Sequence, residues 1–392
     1  VVSRSGWKTS STITCLLDPG LHMLTCKRFI ALVCILLAAW FIPGCLFAGG
    51  EGERQRLFFV GQDLGSVREY YGSACCPQAD GTTTYLVFYA LGNPDASFGG
   101  LGLDLSLQPT GHEADWGAGH ANAWKSAVEF PGAVAIGLSI TEHDHPGGLA
   151  RIVAGEHDGE ARRLAAFIKA VDIPVYLRIG YEIDGGWNQG YENSDQYKKA
   201  FRQIVDILRE EQVKNVDYVW QSAAFPLDIL TDGGYTDIRQ WYPGDEYVDW
   251  MGVSMFMHLD EKPGVKTNFV PPTSRELVGK VLELARERGK PVFIGEASPQ
   301  GYDLARGTNA HIAATWDGPQ GEGVIEVTPE QVWDDWYAPL FEWMEENRDV
   351  VRALAYINCH WDSQPMWGPP YNSGYWGDTR LQVSSYLSRR FS

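Results

Sequence analysis

Two glutamates stand where short apolar runs end. Residues 174–188 read Pro-Val-Tyr-Leu-Arg-Ile-Gly-Tyr-Glu-Ile-Asp-Gly-Gly-Trp-Asn, and residues 290–298 read Lys-Pro-Val-Phe-Ile-Gly-Glu-Ala-Ser. In the first, Val175, Leu177 and Ile179 supply a buried strand, yet Arg178, Tyr181, Glu182, Asp184, Trp187 and Asn188 crowd its C-terminal end. A charge in or just past a buried strand is costly unless it is paired or reactive. In the second, Val292, Phe293 and Ile294 form the strand and Glu296 stands where it ends. Hydrolysing a glycoside with retention needs two carboxyl groups about 5 to 5.5 Å apart. One attacks the anomeric carbon; the other protonates the leaving oxygen and later activates water. A structural ion pair is the competing explanation for either glutamate alone. The pair together, with aromatic and amide neighbours, favours the reactive explanation.

Such a pair needs a scaffold that brings two strand ends face to face. Strand signals fall at 57–62, 85–91, 133–140, 174–182, 216–222, 248–256, 291–296 and 351–358. Helical stripes, with apolar residues three and four apart, fall between them at 157–171, 194–210, 275–288 and 329–347. Strands alternating with helices make βαβ units and a parallel sheet. Eight strands predict an α/β fold: a single (β/α)8 TIM barrel, with its active site at the C-terminal strand ends. Strands four and seven then oppose each other across the mouth. The glycine-rich stretches 92–120 and 299–328 are long enough to shape a cleft at that face.

The domain expected to fold is 49–392. Before it, Met23, Lys27 and Arg28 precede an uncharged apolar run of 13 residues, Phe29 to Phe41, with small residues after it. That is the pattern of a secretory signal over about 23–48, with 1–22 upstream of it. A bilayer span takes about 20 residues, so no membrane span is expected in the mature form. Ile42-Pro43-Gly44-Cys45 is a weak match to a lipoprotein cleavage box, Pro43 being atypical, so Cys45 is a candidate lipid attachment site. The chain is expected to be secreted, extracellular or periplasmic, and monomeric.

The formal charge is −18, and the leader holds four of the basic residues (Arg4, Lys8, Lys27, Arg28) against one acidic residue, Asp18. What remains is more acidic still. That argues against nucleic acid or an anionic membrane as partner and is compatible with a neutral polysaccharide or oligosaccharide. Past the leader only Cys75, Cys76 and Cys359 remain. They form neither a zinc pattern nor a disulfide framework, although Cys75 or Cys76 could reach Cys359. His143-Asp144-His145 invites a metal reading, but no third ligand is evident. Asp104, His112, Glu113 and Asp115 match no established calcium spacing. No metal and no cofactor is expected.

The strand-four segment Arg178-Ile-Gly-Tyr181-Glu182-Ile-Asp184-Gly-Gly-Trp187 resembles that of the family 26 glycoside hydrolases, retaining (β/α)8 enzymes of clan A. Val248-Asp249-Trp250-Met251-Gly252 resembles the family's strand six, and Lys290 to Glu296 its strand seven. Gly61-Gln62 and Trp361 also suit the clan. The resemblance implies Glu182 as acid/base, Glu296 as nucleophile, and Arg178 and Trp361 as pocket neighbours. Three departures point to a distant branch. Tyr181 replaces His, Asp184 replaces Asn, and Ser254-Met255-Phe256 lacks the tyrosine that commonly bonds the nucleophile; His258 or Tyr302 could replace it. Tyr181, Asp184, Trp187, Asn188, Gln221 and His258 join Arg178 and Trp361 as expected substrate-binding residues. Trp220, Trp241, Trp316, Trp367 and Trp376 are further candidates for sugar platforms, with core packing the competing explanation. The expected activity is endo-acting cleavage of β-linkages in β-mannan, β-1,3-xylan or β-glucan by double displacement. The rival is a non-catalytic carbohydrate-binding barrel on the cell surface.

Overall fold

The computed structural model describes residues 56–93, 99–225, 237–256, 258–260, 272–310, 324–367 and 376–391. The chain separates between Arg54 and Gln55 into two units, and every described residue belongs to the second. The expected leader, with Cys45, lies outside the described residues.

Eight parallel strands close into a barrel. In chain order they are β1 Leu57–Gly61, β2 Gly81–Val87, β3 Ala133–Ser139, β4 Val175–Ile179, β5 Val216–Ser222, β6 Trp250–Met255, β7 Val292–Ala297 and β8 Val351–Ile357. Each pairs with its chain neighbours, and β8 closes on β1 with Leu57 opposite Ala353 and Gly61 opposite Ile357. The described helices are α1 Leu64–Gly72, α2 Ala123–Val128, α3 Gly148–Val153, α4 Asp158–Val171, α5 Ser194–Glu210, α6 Ser274–Arg288, α7 Pro329–Val332, α8 Ala338–Glu346 and α9 Ser385–Phe391. The fold is a (β/α)8 barrel, as the strand–helix alternation predicts. None of the described helices is long and apolar enough to cross a membrane.

The helices form because their apolar stripes have somewhere to go. Tyr197, Phe201, Ile204, Val205 and Leu208 of α5 are buried in the main core cluster, which also takes residues from every barrel strand. Helix α6 begins at a capping box. The Thr273 hydroxyl accepts from the Glu276 N–H, and the Glu276 carboxylate accepts from the Thr273 N–H. It ends at Gly289, whose φ of 63° favours glycine.

The barrel interior is layered, and the layering positions the site. Phe59, Ala135, Val219, Phe293 and Ala353, with Tyr176 and Trp250 against them, make an apolar plug. Side chains alternate along a strand, so residues two further on face the same interior one layer higher. Arg178 follows Tyr176 by two, and Gln221 follows Val219 by two. The plug is apolar and aromatic; the layer above it is polar and buried.

Three elements depart from expectation. β2 starts at Gly81, not 85, and gives way to a tight helical turn over Phe88–Ala90. The run Thr82-Thr83-Thr84 is β-branched but not apolar, which conceals it from a hydrophobicity reading. β4 stops at Ile179 rather than running on to Glu182, because Gly180 and Glu182 both take φ of 55°, which strand geometry excludes. The helix expected over 329–347 is interrupted by a wide turn at Trp333–Tyr337 between α7 and α8.

Candidate active site

The site begins where β4 breaks. Glu182 sits in the left-handed region, a conformation disfavoured for a residue with a Cβ and found where function holds the backbone in place. The turn holds it. The Gly185 N–H donates to the Glu182 carbonyl at 2.9 Å, and the Asn188 amide donates to the same carbonyl at 2.9 Å. Asp184 accepts from the Ser222 hydroxyl and the Ala223 N–H, fastening the turn to the end of β5. The turn therefore presents Glu182 to the barrel mouth.

Glu296 reaches the same place from β7 by a bulge. Ile294 is opposite Val253 of β6, but the next partner of Ser254 is Glu296, so Gly295 is skipped. A bulge re-aims the side chain that follows it. Glycine at 295 lets the amide of Gln221 pass close to the bulge: a Cβ there would lie 2.6 Å from Gln221 Oε1.

Between the two carboxylates lies a continuous set of hydrogen bonds. Arg178 has no solvent exposure. Its Nη1 donates to Glu296 Oε1 at 2.7 Å and to Gln221 Oε1 at 3.0 Å. Gln221 Nε2 donates to Ser254 Oγ at 2.9 Å, and Ser254 Oγ donates to Glu182 Oε1 at 2.7 Å. The other oxygen of Glu182 accepts from the indole N–H of Trp187 at 3.1 Å. The rings of Tyr85 and Tyr181 lie 5.3 and 5.2 Å from the guanidinium carbon. Gly137 of β3 leaves room for this packing: a Cβ there would meet Tyr85 at 2.6 Å and Arg178 Nη2 at 3.0 Å.

The electrostatics are unequal. Glu182 is 8% exposed; burial, then the charge of Glu296, pushes its carboxyl up to about 8, against the pull of Ser254, Arg178 and Trp187. Glu296 has a buried arginine bonded directly to it. Glu182 thus holds its proton more tightly than an ordinary carboxyl, whereas Glu296 is ion-paired to Arg178. An acid and a nucleophile working together require this division.

Comparison with known proteins points to a glycoside hydrolase. A family model for glycosyl hydrolase family 26 matches residues 143–297, a stretch that holds both glutamates, Arg178, Gln221 and Ser254. The chain is family 26-like. It is 33% identical over 337 residues to a β-1,3-xylanase from Alcaligenes sp, covering 86% of this chain and 62% of that protein. It is 34% identical over 337 residues to a β-1,3-xylanase from Vibrio sp, covering 86% and 63%. The chain thus spans about three-fifths of the length of these relatives. Among solved structures, a GH26 β-mannanase from Bacteroides ovatus matches with a TM-score of 0.51 at 17% identity, over 86% of this chain and 88% of that one. This last is a likeness of fold.

Within this family 26-like site the expected residues separate into three groups. Glu182, Glu296, Arg178, Tyr181, Trp187 and Gln221 converge. Gln221, expected among the substrate-binding residues, is fully buried and bonds Arg178 and Ser254. Asp184 and Asn188 bond the turn and the end of β5. His258 and Trp361 have other partners past the strand ends. His258 Nε2 pairs with the Tyr302 hydroxyl at 3.1 Å. Trp361 donates to Thr379 Oγ1 and packs at 5.1 Å against Trp367, in a cluster with Phe256 and Trp376. Trp220 and Trp241 are core, and Trp316 lies outside the described residues. Glu113, a calcium candidate by residue type, pairs with Arg68 and Lys125. Cys75, Cys76 and Cys359 are all free thiols.

Sequence reading does not single out Tyr85, Thr83 or Ser254 as parts of the site. Burial raises the Tyr85 phenol well above its ordinary value, and the charge of Glu296 adds to this. Thr83 Oγ1 accepts from Arg178 Nη2 at 3.4 Å. The available signal is alternation along β2: Thr83 and Tyr85 are two apart and share the interior face that Arg178 occupies on β4.

Proposed function

We propose that the chain is a retaining glycoside hydrolase that cleaves β-1,3-xylan within the polymer, with Glu182 as acid/base and Glu296 as nucleophile. The observation that carries this reading is the inequality of the two buried carboxyls, one raised to about 8 and the other ion-paired to Arg178 at 2.7 Å. A Glu296 oxygen bonds the anomeric carbon as the glycosidic C–O bond breaks, and the proton of Glu182 goes to the leaving oxygen. The glycosyl ester has no charge on Glu296. The repulsion that helped hold the proton on Glu182 is then gone, so Glu182 becomes a competent base. It takes a proton from water, whose oxygen attacks the anomeric carbon and releases Glu296.

The choice of β-1,3-xylan over β-mannan and β-glucan is supported by the two xylanase relatives, each similar over 86% of this chain. Endo action is inferred on the same basis. Export through the leader at about 23–48 is part of the proposal, supported by the apolar run after Lys27 and Arg28.

The test is reducing-sugar release from β-1,3-xylan, β-1,4-xylan, β-mannan and β-glucans by wild type and Glu296→Ala. Release from β-1,3-xylan that disappears in the variant is expected, with the β-anomer appearing first by NMR. Binding without release from any polymer would favour the carbohydrate-binding barrel instead.

A further inference from the structure

We infer that Gln221 is a positioning residue: through Ser254 it orients the carboxyl of Glu182, and through Arg178 it ties that orientation to Glu296. The inference rests on the functional reading above and adds to it a residue that acts through its neighbours.

A guanidinium has only donors, so the atom of Gln221 facing Arg178 Nη1 at 3.0 Å is its carbonyl oxygen. The amide nitrogen then faces Ser254 Oγ at 2.9 Å and must donate. Ser254 therefore spends its own hydrogen elsewhere, on Glu182 Oε1 at 2.7 Å. Every bond in the set points from the arginine outward, and each fixes the next. The indole of Trp187 holds the other oxygen of Glu182, so the plane of the carboxyl is defined at both ends. Were the amide reversed, Gln221 would accept from Ser254, and Glu182 would keep only the indole of Trp187 as donor.

The barrel is shaped around this amide. Gln221 is fully buried. A Cβ on Gly252 would lie 2.8 Å from Gln221 Cβ, and one on Gly295 would lie 2.6 Å from its Oε1. Strands β6 and β7 thus carry glycine where this side chain passes. A glutamine serving only as packing needs neither the fixed amide nor the two polar partners. The groups that act electrostatically on Glu182 are Glu296 of β7, Arg178 of β4, and Tyr181 and Tyr191 beyond β4. The links supplied by β5 and β6, Gln221 and Ser254, are neutral. They act by hydrogen bonding alone.

The test is a cycle of Gln221→Met, Ser254→Ala and the double variant, with Ser254→Thr as the conservative control. On the polymer that wild type cleaves, each single variant is expected to lower kcat about 10- to 100-fold at unchanged KM, a part of the roughly 10²–10⁴ that acid–base catalysis contributes. The loss from Gln221→Met should shrink several-fold in the Ser254→Ala background, and Ser254→Thr should keep most of the wild-type rate. Equal losses from Gln221→Met in both backgrounds would overturn the inference. A second readout needs no substrate, so it stands even if no polymer is cleaved. The carboxyl carbon of Glu182, followed by NMR, should titrate at higher pH in Ser254→Ala and in Gln221→Met, because each removes or frees the donor that favours the anion. An unmoved midpoint in folded variants would count equally against it.

Discussion

The raised carboxyl of Glu182 predicts a pH dependence of stability that is independent of any substrate. In the unfolded chain this carboxyl releases its proton near 4.5, and in the folded protein near 8. The folded value is the higher one, so the contribution of this group is fully present below 4.5 and is lost as pH rises to about 8. One unit corresponds to about 1.4 kcal/mol, and the whole interval to about 5 kcal/mol. The perturbation is Glu182→Gln, which keeps the shape of the side chain and removes its titration. At pH 5 the wild type should be the more stable of the two. The variant's amide nitrogen faces one of two donors, Trp187 or Ser254, and costs about 1–3 kcal/mol. Between pH 5 and 8 the wild-type advantage should decline by about 1.4 kcal/mol per unit and reverse before pH 8. Arg178 and Glu296 are present in both proteins, so their direct contributions cancel to first order. The assay is urea unfolding of both at pH 5, 6, 7 and 8, followed by tryptophan fluorescence. A stability difference that stays flat across this range would falsify the assignment of Glu182 as the proton holder.

Other substitutions probe the remaining parts. Arg178→Met leaves the carboxylate of Glu296 buried without its partner, and should lower stability by about 3–5 kcal/mol by thermal or urea unfolding. Arg178→Lys keeps the charge but not the fork that serves Glu296 and Gln221 together, so its kcat should fall by at least about 100-fold while the fold survives. Glu182→Ala and Glu296→Ala should both lose polymer cleavage, and azide should rescue them with opposite stereochemistry, giving a β-glycosyl azide from the first and an α-glycosyl azide from the second. Product NMR reads the difference. Gly295→Ala should reduce both kcat and stability, since its Cβ would lie 2.6 Å from Gln221 Oε1.

The barrel is legible in the sequence because its strands are apolar runs at regular intervals and its helices show stripes of period 3.6. The observed limits of β5 and β8 lie within a residue of those expected. Where the expectation fails, another signal overrides hydrophobicity. The threonines of β2 satisfy strand geometry without being apolar, and their place in the barrel is visible only from the register with β3, Gly81 opposite Ala133. The end of β4 is obscured because Tyr181 and Glu182 read as a continuing strand, whereas Gly180 has already turned the chain. Helix α1 gives almost no sequence signal: its Asp63 cap, accepting from the Ser66 N–H, comes two residues after the end of β1, and its short length offers few periods to detect. At the site, residue types reveal the two glutamates and Arg178. They do not reveal Ser254 or the role of Gln221, because hydrogen-bond direction depends on neighbours from three different strands.

That direction bears on a general difficulty of two-carboxyl sites. Two identical groups in one low-dielectric pocket repel, and chemistry requires them to differ. A cation between them would stabilise both anions and leave no acid. Here the cation is bonded to one side only: Arg178 contacts Glu296 directly and reaches Glu182 through two neutral groups, Gln221 and Ser254. Glu296 gains a full ion pair, whereas Glu182 gains one hydroxyl, one indole N–H and only the through-space pull of Arg178, too little to offset burial. The asymmetry follows from which strand carries the arginine and where its guanidinium ends. Moving a positive charge next to Glu182, as the substitution Ser254→Lys would, should therefore lower the Glu182 carboxyl and abolish proton donation while leaving the Arg178–Glu296 pair intact. Carbon NMR of the two carboxyls would show whether Glu182 has lost its proton at pH 7, and retention of the proton there would mean that burial, not the placement of the arginine, sets the difference.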